Sequence, residues 1–98
     1  MAEQLPATEP RPVTEQTRVT VRYYAGARAA AGVEQETVQT RPGATVGSLA
    51  DDLAARHGER LAQVLVAASF LIDEVTAPRD QPVPAGATLD VLPPFAGG

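Results

Sequence analysis

The chain has 98 residues, one small domain's worth, which excludes a two-lobed enzyme with a cleft between its halves. An apolar share of 44 % and a charged share of 20 % exclude wholesale disorder and a membrane span. Eight cationic side chains, every one an Arg, face twelve acidic ones; the net charge of −4 and the lack of a basic run argue against nucleic acid as a partner.

The missing residue types narrow the chemistry further. Without Lys there is no Walker phosphate loop, no Schiff base and no acceptor for a side-chain isopeptide. Without Cys there is no disulfide, thiolate nucleophile, redox centre or thiolate metal site, and a single His makes a transition-metal site a poor expectation. The first thirty residues hold no apolar run suited to secretion or anchoring, so the expected compartment is the cytoplasm and no membrane contact is expected. Aromatic residues are few, so the core must be built from Val, Leu, Ile and Ala, in a domain too small for a deep pocket.

Residues 1–17, with Pro6, Pro10 and Pro12 among Glu, Gln and Thr, are expected to be a disordered tail. The domain is expected over 18–92, followed by an extended tail over 93–98. Arg18–Tyr24 alternates apolar and polar residues and predicts a strand with Val19, Val21 and Tyr23 on one face. Ala25–Gly32 is short and Gly-bounded and predicts a loop with one helical turn. Val33–Thr40, polar and Thr-rich, suits an edge strand. Thr45 is a candidate N-cap, Val46, Leu49, Ala50, Leu53 and Ala54 follow at helical spacing, and Gly58 is placed to end the helix. Leu61, Val64 and Leu65 predict a short turn, Val66–Ile72 a strand, Asp73 to Pro84 an irregular loop, and Thr88–Leu92 a last strand with Leu89 and Val91 on one side. One main helix on a small mixed sheet, an α+β domain, follows from this order.

Ser48, Asp51, Asp52 and His57 share one segment and invite comparison with a hydrolase. Nine residues at about 100° each place Ser48 and His57 on opposite sides of the helix, so they cannot exchange a proton there. Asp51 and Asp52 diverge in the same way and read as a solvated face, and His57 as a helix-end residue. The glycine pairs lack the strand, spacing and helix of a dinucleotide fingerprint.

What remains is Pro93-Pro94-Phe95-Ala96-Gly97-Gly98, directly after the last strand. The two prolines cannot continue a ladder and stiffen the exit. Six extended residues span at most about 20 Å, enough to carry a carboxylate into another protein's active site. Gly97 and Gly98 remove every Cβ from the tip, which suits passage through a narrow channel.

With Thr45-Val46-Gly47-Ser48-Leu49, Ile72-Asp73-Glu74-Val75 and the run Pro84 to Pro94, this tail resembles the small subunit of molybdopterin synthase and its relatives among the ubiquitin-like sulfur carrier proteins. The resemblance covers about Val19 to Gly98 and implies a ubiquitin-like β-grasp fold with the last strand central. It implies that the chain is a carrier rather than an enzyme and binds no cofactor itself. An E1-like adenylyltransferase/sulfurtransferase, using ATP and Mg, would adenylate the Gly98 carboxylate and convert it to a thiocarboxylate. The tail would then enter the large subunit of molybdopterin synthase and give its sulfur to a pterin precursor. Gly97, Ala96, Phe95, Pro94, Pro93 and Leu92 would contact the partner, with Leu92 and Phe95 as apolar anchors. Phe95 stands where relatives carry a small aliphatic residue. Other acceptors in the same chemistry are thiamine thiazole, cysteine or another thio-metabolite; a different class is a ubiquitin-like protein modifier or non-covalent binding module.

Overall fold

A computed structural model describes residues 17–94. The expected tail over 1–17 lies outside it except for Thr17, as do Phe95, Ala96, Gly97 and Gly98. Five strands form one mixed sheet: β1 (Thr17–Tyr23), β2 (Gln35–Thr40), β3 (Ser69–Ile72), β4 (Val75–Thr76) and β5 (Thr88–Leu92). Their spatial order is β2-β1-β5-β3-β4, with β5 parallel to β1 and antiparallel to β3. The last strand is therefore central, and β2 is an edge strand. Helices α1 (Ala25–Ala31), α2 (Val46–His57) and α3 (Glu59–Ala67) complete the fold. This is an α+β, ubiquitin-like β-grasp architecture.

The alternation in β1 works as read: Val19, Val21 and Tyr23 are buried in one cluster with Leu89 and Val91 of β5, Phe70 and Ile72 of β3, and Val46, Leu49, Ala50 and Leu53 of α2. The helix begins at a capping box, in which the Thr45 hydroxyl accepts from the Ser48 amide and the Ser48 Oγ accepts from the Thr45 amide. Its next two amides are held from outside: Val46 N–H donates to the Gln81 carbonyl and Gly47 N–H to that of Arg79. A Cβ on Gly47 would lie 3.2 Å from the Arg79 carbonyl oxygen, so this close crossing explains the glycine in the helix-opening motif.

Four expectations need correction. Residues 25–31 form a full helix, because Ala27 is buried in the core and Gly32, at φ 82°, takes the left-handed cap that closes it. The segment around Leu61, Val64 and Leu65 is a nine-residue helix with Leu61 and Leu65 buried; tertiary packing stabilises what is too short to hold alone. That helix consumes Val66 and Ala67, so the third strand starts at Ser69, not Val66. Asp73-Glu74 is a two-residue hairpin turn rather than the start of an irregular loop, and it creates β4.

Both turn residues have positive φ, 48° at Asp73 and 71° at Glu74, the geometry of a hairpin turn that twists with its strands. Asp73 contributes an Oδ1 that accepts from the Thr88 amide at 2.9 Å, tying the turn to β5. Glu74 contributes no such bond and bears the steric cost of a Cβ in the left-handed region. Glu74→Gly is expected to raise the unfolding free energy by up to about 1 kcal/mol in urea titrations, whereas Asp73→Gly, which removes the Thr88 contact, is expected to lower it.

Candidate functional site: the exit of the central strand

The C-terminal segment leaves from the best-held strand of the sheet. β5 is hydrogen-bonded on both sides, to β1 over Thr20–Tyr23 and to β3 over Ser69–Ile72. Leu89 and Val91 are fully buried beneath the helices. On the opposite face the Arg22 guanidinium grips Asp90 with two bonds, Nε to Oδ1 at 2.7 Å and Nη2 to Oδ2 at 3.0 Å. The Asp90 side chain is only 5 % exposed, so the fork neutralises a nearly buried carboxylate while locking β1 to β5 in register. The sequence signal for this pair is a lone acid at the polar-face position of an otherwise apolar strand, matched to an Arg at the polar-face position of the first strand.

Beyond Val91 the chain emerges at once. Leu92 and Pro93 are half-buried and Pro94 is exposed, with no ladder bonds at the prolines. Leu92, Pro93 and Pro94 form one wall of a groove whose other walls come from α1 and α3. Of the expected site residues, these three are brought together at the strand's end; Phe95, Ala96, Gly97 and Gly98 lie outside the described residues.

The hydrolase-like residues are separated as the helical geometry requires. Ser48 is spent in the capping box, and Asp51 and Asp52 are exposed. His57 is more than a helix-end residue: its ring meets Tyr23 edge-on at 5.8 Å, and its Nε2 lies 2.5 Å from Glu36 Oε2, which also accepts from the Tyr23 hydroxyl at 2.6 Å. Arg56 stands 3.6 Å from the other carboxylate oxygen. This cluster clamps the edge strand β2 to the end of α2. Among the described residues, no group of three or more His, Cys, Asp or Glu could hold a metal ion, and no helix is long and apolar enough to cross a membrane.

Burial opposes ionisation of Glu36, yet the hydrogen bonds from Tyr23 and His57, with the charges of His57 and Arg56, hold its carboxyl below the ordinary glutamate range. Burial, then the bond to Glu36, pushes the Tyr23 phenol well above its usual range. A lowered carboxyl in the folded state means that its stabilisation is complete above the unfolded value, about 4.3, and fades as pH falls through the folded one. Glu36→Gln should therefore lower the unfolding free energy by about 1–3 kcal/mol at neutral pH, with the gap between the two proteins closing in denaturant titrations below about pH 4.

The sequence pattern of the ThiS family matches residues 21–98, from within β1 through the Gly-Gly end. The chain belongs to the ThiS family. It is thus a ubiquitin-like small protein of the sulfur-carrier and modifier group. No curated protein matches its sequence. Solved structures agree on the fold. The Haloferax volcanii protein HVO 2177 superposes with a TM-score of 0.76 at 22 % identity, covering 86 % of this chain and 89 % of its own. A Pyrococcus furiosus protein described as molybdopterin converting factor, subunit 1, does so with a TM-score of 0.72 at 24 % identity, covering 81 % and 99 %. The modifier SAMP1 from Haloferax volcanii gives 0.72 at 25 % identity, covering 83 % and 99 %. The geometry of β5 says how the domain holds the base of the C-terminal segment.

Proposed function

We propose that this chain is the sulfur-carrying small subunit of a molybdopterin synthase. The observation that carries the reading is a central, doubly paired strand that ends in Leu92-Pro93-Pro94 at the surface and continues in sequence to Gly97-Gly98. The likeness to molybdopterin converting factor subunit 1 supports the acceptor. So does the partner: the corresponding subunits 1 and 2 from Helicobacter pylori were solved as a protein–protein complex, whose match to this chain has a TM-score of 0.56 at 18 % identity and covers 83 % of this chain and 99 % of that one.

A free carboxylate is a poor electrophile, so the reaction starts in a partner. An E1-like adenylating enzyme joins the Gly98 carboxylate to the α-phosphorus of ATP and releases pyrophosphate. A persulfide sulfur attacks the resulting acyl carbon, the bond to AMP breaks, and reduction of the remaining S–S bond by a thiol leaves the thiocarboxylate. The large subunit then receives the tail. What this chain supplies is position. The rigid base at β5 and the two prolines limit the directions the reacting end can sample, and ordering before the encounter lowers the barrier to transfer. Leu92 and Phe95 are the apolar anchors, and Gly97 and Gly98 leave the tip thin.

A second reading is favoured by one observation, the fold shared with the modifier SAMP1. There the same activated end would form an amide with an amine of another protein. Lacking Lys, this chain offers no side-chain amine to a second copy, so a conjugate would carry one unit at each attachment site.

Incubation with ATP, a persulfide donor and the adenylating enzyme should exchange one oxygen for sulfur in the intact mass. Subsequent addition of the large subunit and pterin precursor should reverse the exchange and yield dithiolene product. Deletion of Gly98 should abolish loading while leaving the circular dichroism and melting of the domain unchanged. Loading without discharge to the pterin, together with adducts on protein amines, would favour the modifier. Leu92→Ala should weaken the complex with the large subunit about tenfold or more, measured by titration calorimetry, as expected for an apolar side chain worth roughly 1.5–3 kcal/mol.

A further inference from the structure

The outer edge of β2 carries backbone groups that the sheet does not use. Tyr23 stands opposite Glu34, and its N–H donates to the Glu34 carbonyl at 3.0 Å. Backbone direction alternates along an antiparallel ladder. Glu36, Val38 and Thr40 therefore turn N–H and C=O toward β1, whereas Gln35, Thr37 and Gln39 turn theirs away from it. β2 ends the sheet, and among the described residues no strand pairs with those outward groups. The usual protections of an edge are missing as well: the register with β1 runs from Thr40 to Gln35 without a bulge, and the strand holds no Pro, Lys or Arg. Its one charged side chain, Glu36, is spent on Tyr23 and His57. The side chains of Gln35, Thr37 and Gln39 are exposed on the face opposite the buried Val38.

We infer that this edge pairs with the same edge of a second copy of the chain, antiparallel about a two-fold axis at Thr37, so that one sheet runs through both copies. The sequence selects that occupant. The outward-directed residues read Gln-Thr-Gln in either direction, so the axis sets Gln35 against Gln39 of the copy and Thr37 against its own counterpart. Each such pair exchanges two backbone bonds, and the side chains that meet, amide with amide and hydroxyl with hydroxyl, hydrogen-bond without confining a charge. An axis at Glu36 would set two carboxylates against each other. An axis at Val38 would leave Gln35 facing Arg41, beyond the end of the strand. One strand edge is a small contact, so the dimer belongs to the transient class and is populated at high protein concentration. β1 separates β2 from β5, so the junction lies away from the strand exit, and the inference stands independently of the carrier reading.

Solution NMR of the full chain tests it, in a dilution series from about 1 mM, the weak end of specific association. The amide resonances of Gln35, Thr37 and Gln39 should shift with concentration as translational diffusion slows. In a mixture of differently labelled molecules, a nuclear Overhauser contact should join Glu36 Hα of one copy to Val38 Hα of the other, the close non-hydrogen-bonded pair of this register. Thr37→Lys, which opposes two ammonium groups at the axis, should weaken association at least tenfold while the resonances of the buried Val19 and Val38 stay in place. The double variant Gln35→Lys, Gln39→Glu sets opposite charges against each other twice and should tighten it about threefold or more at low salt. Shifts and diffusion independent of concentration would overturn the inference, as would association undiminished in Thr37→Lys. Protection of the three amides from exchange at the lowest concentration, with no contact between molecules, would also overturn it and make another segment of the same chain the occupant. A double variant no tighter than the parent would overturn the register.

Discussion

The placement of β5 between β1 and β3 is the constraint from which the rest of the molecule follows. A strand bonded along both edges, buried on its inner face and clamped on its outer face by the Arg22–Asp90 fork, is the part of the sheet least free to fray. The chain leaves the domain from this strand. An edge strand is paired along one side only and frays more readily; here Leu92, Pro93 and Pro94 follow directly on a strand held along both.

The helical layer serves the same end from the inside. Leu49, Ala50 and Leu53 of α2 share one buried cluster with Val21, Leu89 and Val91, while the long segment after β4 crosses the N-terminal end of α2, accepts the bonds of Val46 and Gly47, and returns to start β5. The Glu36–His57–Tyr23 cluster, at the far edge, fastens β2 to α2. Polar networks thus close the margins of a core made almost wholly of small aliphatic residues, which a domain of this size cannot enlarge. The other two helices, α1 and α3, stand beside the strand exit and leave a groove there.

Much of this was legible in the sequence where one short rule decides the outcome. Alternation gave β1 and β5, the Thr45 cap and the 3.6-residue stripe gave α2, and polarity gave the edge position of β2. The failures came where tertiary contact overrides local weakness. Ala25–Ala31 and Glu59–Ala67 are too short and too rich in small or mixed residues to announce themselves as helices, and they form because Ala27, Leu61 and Leu65 find the core. The Asp73-Glu74 turn lacks the Gly that marks such hairpins, so its residues gave little warning of positive φ. His57 reads as a mere helix-end residue because its partners lie 21 and 34 residues upstream, at Glu36 and Tyr23. The strand that leads to Leu92, Pro93 and Pro94 was readable from its alternation; the Arg22–Asp90 pair and the groove needed the strand order and the helix placement.

The proposed carrier function requires that the backbone carboxyl of Gly98 be the atom group that reacts. The most direct measurement compares two preparations of the chain, one with the free carboxylate and one with the same end capped as a carboxamide, each incubated with the activating enzyme, ATP and a persulfide donor. Sulfur should appear in the first, located at residue 98 by fragment masses, and be absent from the second. Equal sulfur incorporation in the capped chain would contradict the proposed role of Gly98.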